Sequence, residues 1–263
     1  MRFYKSTIGC FFLLATLLLL ASCVKEENGT GIVNGVEASS ISGKAITSDG
    51  QPLAGLTLKV IYYRTLTPSY QMLIRTKAEA TTDNKGNFKL LYTITDDELN
   101  TDREKYVDYY EIVAETSKLN PDVYVTYGNI SKMIGLKRGE SLSTSVYIPK
   151  RRKMSVTLTN FKAVSDLSHF YVYTTMPYGF ERDKNDIPPH NPNFPDNKYG
   201  NFSSVINLYT AKENTTVYTD IPFPLNDSCI VSIMRTNELG ESKMQTHRLR
   251  ITDSQPQSLT YSY

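Results

Sequence analysis

The sequence predicts an all-β fold built as two antiparallel β-sandwich domains in series. Three observations predict it. Short segments in which apolar and polar residues alternate recur from Ser40 to Tyr263, each bounded by turn residues, the pattern of strands that bury one face. No stretch in that span carries apolar residues at helical spacing over any length. The aromatic content is dominated by 19 tyrosines, with no tryptophan. Tyrosine suits a pleated, half-buried surface, so much of it is expected to be architectural.

Taken in order, the first strand is expected over residues 41–48. In the second, Leu56, Leu58, Val60 and Tyr62 alternate with Thr57, Lys59, Ile61 and Tyr63. Further strands are expected over 72–81, 87–94, 108–116 and 122–131. The seventh follows from Leu142, Val146 and Ile148, which alternate with Ser143, Ser145 and Tyr147. In the second half, Met154, Val156 and Leu158 alternate with Ser155, Thr157 and Thr159. Strands are then expected over 169–176, 203–209, 215–221, 228–236, 242–251 and 257–263. Asn237-Glu238-Leu239-Gly240 supplies a hairpin turn between two of them. The boundary is placed at Pro149-Lys150-Arg151-Arg152-Lys153, giving domains over residues 40–149 and 150–263. Proline stops a strand, and four consecutive basic residues are hard to bury. A solvated linker is the ordinary reading; a phosphate-binding patch is the alternative and needs basic residues from elsewhere. Residues 153–263 are expected to fold alone.

The N-terminus carries an address. Arg2 and Lys5 precede an apolar run from Ile8 to Leu20, 13 residues long. That is short of the roughly 20 residues a membrane-spanning helix needs and suits the apolar core of a secretory signal. Leu20-Ala21-Ser22-Cys23 resembles a bacterial lipobox. The resemblance implies a signal peptide over residues 1–22, acylation of Cys23 and a membrane partner reached through that lipid, stable once two or more acyl chains insert. Residues 23–39 then read as a flexible polar tether. Within it, Lys25-Glu26-Glu27 resembles the surface-export signal of Bacteroidetes lipoproteins. It implies display on the outer membrane, with the periplasmic leaflet as the alternative.

Charge and cysteine use exclude several classes. Lysine and arginine number 29 against 27 acids, and the excess of two resides in Arg2 and Lys5. The remainder is balanced, so it has no global field for nucleic acid and no such partner is expected. Of three cysteines, Cys10 leaves with the signal and Cys23 takes the lipid. Cys229 lies beside Ile230, Val231 and Ile233 and reads as a buried thiol rather than a nucleophile.

The first domain resembles the carboxypeptidase-regulatory-like (transthyretin-like) sandwich. The residues that carry this are Ile41-Ser42-Gly43-Lys44-Ala45, then Asp49-Gly50-Gln51-Pro52-Leu53-Ala54-Gly55, then Thr81-Thr82-Asp83-Asn84-Lys85-Gly86-Asn87-Phe88-Lys89-Leu90. Asp-Gly and Asp-Asn-Lys-Gly are tight turns, and Phe88 and Leu90 share one face. The resemblance covers residues 39–95 well and 96–149 by strand count. It implies a non-catalytic module and supplies no catalytic residues. The second domain is similar only to a generic Ig-like sandwich.

A search for chemistry finds no phosphate-binding glycine loop, G-x-S-x-G or H-E-x-x-H. His169, His190 and His247 are far apart and read as strand or surface histidines. Asp83 to Asn87 lacks the spacing of a calcium loop and reads as a turn. Asp96-Asp97-Glu98 reads as solvated loop charge rather than a catalytic pair. Neither a metal nor an organic cofactor is expected, nor enzymatic activity. One connection, residues 177–202, is too long for an ordinary loop. It holds five prolines and the aromatics Tyr178, Phe180, Phe194 and Tyr199. These four are the candidate ligand-binding residues, provided they are partly exposed; the alternative is that they pack against a sandwich. The expected function is a non-catalytic cell-envelope lipoprotein acting as a binding, adhesion or assembly module with a protein or glycan partner. The alternative is a glycan-binding accessory lipoprotein of a polysaccharide-uptake system, against which the absence of tryptophan counts.

Overall fold

The computed structural model describes residues 24–28, 32–66, 71–99, 106–126, 128–135, 137–159, 169–183, 194, 198–199, 204–205, 216–237, 239–252 and 258–262. Residues 1–22, expected to be a signal peptide, and Cys23 lie outside the described residues. No described helix is long and apolar enough to cross a membrane.

The chain is all-β. The first half contributes β1 (Val24–Asn28), β2 (Ala38–Ile46), β3 (Thr57–Leu66), β4 (Gln71–Thr81), β5 (Asn87–Thr93), a single helical turn α1 (Asp96–Leu99), β6 (Tyr106–Ala114), β7 (Ile130–Ile134) and β8 (Ser141–Tyr147). The second half contributes β9 (Arg151–Thr159), β10 (His169–Thr175), β11 (Gly179–Phe180), β12 (Ser204–Val205), β13 (Thr216–Pro224), β14 (Asp227–Thr236), β15 (Ser242–Ile251) and β16 (Ser258–Ser262). Four sheets result, ordered β1-β4-β3-β6-β7, β11-β8-β2-β5, β12-β10-β14-β15 and β13-β9-β16. Most pairings are antiparallel, but β1 with β4, β2 with β8 and β9 with β16 are parallel. Asn237 and Gly240 make the expected hairpin between β14 and β15.

The first two sheets enclose a core of Ile41, Leu58, Val60, Tyr62, Phe88, Leu90, Tyr92, Tyr110, Ile112 and Val146. Alternation explains the membership: on β5 Phe88, Leu90 and Tyr92 are buried and the residues between them, Lys89 and Leu91, are exposed. Within the second sheet, β2 lies between β5 and β8, with Gly43 opposite Thr144. A Cβ on Gly43 would lie 1.7 Å from the Thr144 carbonyl oxygen, so only glycine lets β8 close on β2.

One end of this sandwich is closed by charge. The register of β3 on β4 passes from Val60 opposite Ala78 to Ile61 opposite Thr76, leaving Lys77 as a bulge residue. A bulge re-aims a side chain, and Lys77 turns inward, 3% exposed. Its ammonium donates to both oxygens of fully buried Glu98, at 2.8 and 3.1 Å. The Tyr110 hydroxyl donates at 2.5 Å and the Thr95 N–H at 2.9 Å. Thr95 and Glu98 stand in the spacing of a capping box, and the glutamate reaches back as that motif requires. Burial alone would raise the Glu98 carboxyl, but Lys77, Tyr110 and the Thr95 N–H together hold it below the usual range. Arg138 pairs with Asp96 at 2.6 Å and Arg75 with Asp97 at 2.9 Å. Glu98 is therefore not solvated loop charge, whereas Asp96 and Asp97 stay exposed, as expected, and pair there with cations from two other segments, β4 and the β7–β8 connection.

Three further expectations are corrected. Residues 24–28 of the expected tether form β1, because the edge of β4 offers unpaired N–H and C=O groups that an extended segment can satisfy. The strand expected over 122–131 is divided into an isolated bridge at Tyr124 and β7. The basic run is not a solvated linker, since Arg151, Arg152 and Lys153 open β9 opposite Pro224, Phe223 and Pro222. Their charges are spent locally: Lys150 meets Asp49 at 2.6 Å, Lys153 meets Asp122 at 2.9 Å, and Arg151 donates to the Pro121 carbonyl at 2.8 Å.

Glu98→Gln is expected to cost about 3 kcal/mol at neutral pH, because it strands a buried ammonium. The ionised form of Glu98 is favoured in the fold, so its contribution is full above the usual glutamate value of about 4.3 and is lost as pH falls further. Urea titrations across the acid range should show the gap between wild type and variant narrowing below that pH; a constant gap would contradict the assignment. Gly43→Ala is expected to lower stability by about 2–3 kcal/mol through overpacking, read from the urea midpoint.

Candidate functional site

The second pair of sheets encloses its own core, with Met154, Val156, Val172, Phe223, Cys229, Val231, Ile233 and Ile251. Each core also takes residues from the other half of the chain. Val125 is buried among the second set. It is held there by a bond from its N–H to the Pro149 carbonyl at 3.0 Å, while the Arg151 N–H reaches the Val123 carbonyl at 2.7 Å. In return β11 adds to the first sandwich, Gly179 opposite Tyr147 and Phe180 opposite Val146.

This exchange decides the fate of the expected recognition loop. Tyr178 and Phe180 are 1% and 3% exposed and belong to the first core. The Tyr178 hydroxyl donates to Thr116 at 2.9 Å. Neither offers a surface, so the packing alternative describes these two. Phe194 and Tyr199 are also buried, at 5% and 6%. They line an open cleft of about 540 Å³ together with Tyr147, Pro177, Lys198, Asp227, Ser228 and Arg248. Its residues thus come from both sandwiches.

The cleft is organised around Tyr147 at the end of β8. Its hydroxyl donates to the Asp227 carboxylate, which also accepts the Ser228 N–H at 2.7 Å. Burial, and then the charge of Asp227, push the Tyr147 phenol well above its ordinary value, so it stays protonated and acts as a donor. Its ring stacks on Tyr199, with centroids 4.9 Å apart and planes at 17°. The Lys198 ammonium lies 5.1 Å from the Tyr199 centroid and the Arg248 guanidinium 5.4 Å from that of Phe194, both cation–π distances. Glu181, bridged to Tyr199, takes a hydrogen bond from Ser145 and lies 3.6 Å from Lys198. The rings and charges of the cleft are engaged with one another.

Elsewhere the reactive groups are placed for structure. Cys229 is fully buried, and burial, with Asp227 nearby, pushes its thiol up to about 12; it carries no thiolate at neutral pH. Among the described residues no three of His, Cys, Asp and Glu are grouped to hold a metal ion. His247 is set against Tyr261, ring centroids 5.1 Å apart. Asp83 closes its turn by accepting the N–H groups of Lys85 and Asn87, both at 2.8 Å.

No protein-family model and no curated protein matches this chain. Among solved structures it is similar to the shaft pilin SpaA of Lactobacillus rhamnosus GG, at 13% identity and a TM-score of 0.28, covering 86% of this chain and 96% of that one. A streptococcal ancillary pilin matches at 7% identity and a TM-score of 0.28, over 88% of this chain and 63% of that one. The TIE protein of Bacillus anthracis matches at 10% identity and a TM-score of 0.27; the aligned region covers 86% of this chain but about a third of that protein, 34%. Likeness at this level carries no inference about activity or partner.

The exchange between the halves sets an expected outcome for the isolated segment 153–263. It would lack Val125 and expose Tyr178 and Phe180, so it should show no cooperative thermal transition and should bind a hydrophobic dye. A sharp transition matching that of the intact chain would show the exchange to be dispensable.

Proposed function

We propose that this protein is a non-catalytic cell-envelope lipoprotein, held through an acylated Cys23 and acting as a rigid binding, adhesion or assembly module. The observation that carries the reading is the two-way exchange of core residues between the sandwiches. Domains that share cores cannot hinge at their junction, whereas ordinary tandem domains move by default. Stiffness across two domains serves a spacer or an assembling subunit. The engaged state of Tyr147, Asp227, Lys198 and Glu181 and the buried thiol of Cys229 agree with a structural role for these groups.

The anchor reading rests on the lipobox-like Leu20-Ala21-Ser22-Cys23 and places the module on the outer membrane. The acids after Lys25 favour display outward over the periplasmic leaflet. The partner is a protein or a glycan. For the glycan-uptake alternative, sugar rings would need open aromatic faces, yet Phe194 carries Arg248 on its ring and Tyr199 is stacked by Tyr147 and capped by Lys198. This favours the adhesion or assembly reading. A glycan array probed with the mature protein separates the two, since a saccharide bound selectively through Phe194 and Tyr199 would support the alternative.

In cells given an alkyne fatty acid, the wild-type protein is expected to take the label and Cys23→Ala to take none, accumulating as precursor. Label on the variant would overturn the anchor.

A further inference from the structure

The outer face of the β1-β4-β3-β6-β7 sheet breaks the alternation expected of strands whose far side meets water. Leu58, Val60 and Tyr62 are fully buried, so Ile61, Tyr63 and Thr65 point the other way. On β6, Tyr110 and Ile112 are buried, which turns Val107, Tyr109 and Glu111 outward. The register carries this face across three strands. Tyr63 lies opposite Ile74 and Tyr109, and Thr65 lies opposite Met72 and Val107. The Tyr63 and Tyr109 rings stack at 4.9 Å, and Val107 is 54% exposed.

Farther along the same strands the face becomes charged. Ile61 lies opposite Thr76 and Glu111, and Lys59 lies opposite Glu79. The Lys59 ammonium is 3.5 Å from the Glu79 carboxylate and 2.8 Å from that of Glu115. Polarity therefore runs along the sheet, from an apolar end at Met72, Thr65 and Val107 to an ionic end at Glu79 and Lys59.

The register of β1 states which end meets the anchor. It runs parallel to β4 with Val24 opposite Met72 and Asn28 opposite Thr76. Cys23 is bonded to Val24, and a strand residue advances only about 3.3 Å. The anchor thus leaves the fold at the apolar end, with no slack between lipid and sheet. We infer that this apolar end, formed by Met72, Ile74, Tyr63, Tyr109 and Val107, docks on the lipid bilayer that receives the acyl chains of Cys23, an inference that rests on the lipid-anchor reading. Tyrosine places an apolar ring and a polar hydroxyl at a membrane–water interface, and a stacked pair beside exposed valine presents that chemistry here. Val107 is exposed and Met72, Ile74, Tyr63 and Tyr109 are half-buried, so the stripe offers a partly open apolar contact surface. A second copy of the chain is the other occupant, and the coincidence of stripe and anchor decides for lipid.

The test uses the acylated full-length mature protein in phosphatidylethanolamine–phosphatidylglycerol vesicles that contain a diazirine-bearing phospholipid. After illumination, peptides are mapped by mass spectrometry, and the intact mass reports acylation separately. Lipid adducts are expected on peptides containing Tyr63 and Val107–Tyr109, several-fold above peptides of β14 and β15. The Val107→Glu, Tyr109→Glu double variant should lose this excess with its acyl mass and circular dichroism unchanged. An acylated wild-type protein labelled evenly, or only beside Cys23, would overturn the docking and leave the anchor standing. Crosslinks from this face to a second copy in place of lipid would also overturn it. A protein with no acyl mass would overturn the anchor reading, and the docking with it.

Discussion

The contact between Glu98 and Lys77 is what the first sandwich closes upon. Glu98 follows the last strand of one sheet, while Lys77 and Tyr110 belong to the other. The carboxylate therefore ties the two layers together at the end of the core where the hydrophobic filling stops. An unpaired charge there would be costly to bury, and a paired one tolerates few alternative arrangements. The aromatic cluster above depends on the same point: Tyr110 holds Glu98 through its hydroxyl while its ring packs 5.1 Å from Tyr62 and 5.8 Å from Tyr92. Arg64 and Arg75 complete the layer, each within 6 Å of the Tyr62 ring centroid at 5.6 and 5.9 Å. A local irregularity in strand pairing, the bulge at Lys77, thereby fixes the relation of two sheets.

The second sandwich is joined to the first by reciprocal intrusion rather than by a linker. Val125 enters one core, and Tyr178 and Phe180 enter the other. The Tyr147–Asp227 hydrogen bond spans the same seam. Here the basic run matters: paired opposite Pro222, Phe223 and Pro224, it begins a strand that leaves the first domain without a free residue between them. Each of its charges that reaches Asp49, Asp122 or the Pro121 carbonyl pins a loop of the first sandwich against the base of the second.

Most strands were legible because period-two alternation reports burial directly, as β5 and β9 illustrate. What alternation does not report is the partner. The parallel pairings of β1 and β16 and the return of β11 to the first sandwich depend on contacts far apart in sequence. Within Asp96-Asp97-Glu98 the two aspartates are solvated as expected, but Glu98 was misread, for a specific reason. Charge run alone signals exposure, whereas the Thr95–Glu98 capping spacing pointed to an ordered turn, and nothing local revealed the inward Lys77. Among the cleft residues, Phe194 and Tyr199 stood out as aromatics in a proline-rich loop. Tyr147 and Asp227 did not, since they are 80 residues apart and each looks like an ordinary strand residue. The same loop showed why aromatic content is a poor guide to exposure: Tyr178 and Phe180 serve the core that their flanking strand β11 joins.

The return of β11 has a consequence for how the chain is made. During synthesis, residues emerge in order, and domains ordinarily fold as they appear. The first sandwich here cannot be completed when β8 has emerged, because its filling at Tyr178 and Phe180 arrives some thirty residues later, after β9 and β10. Those two strands must meanwhile wait for β13 to β16. Vectorial folding is therefore suspended until nearly the whole polypeptide has been made. Such a delay makes the finished body a single cooperative unit.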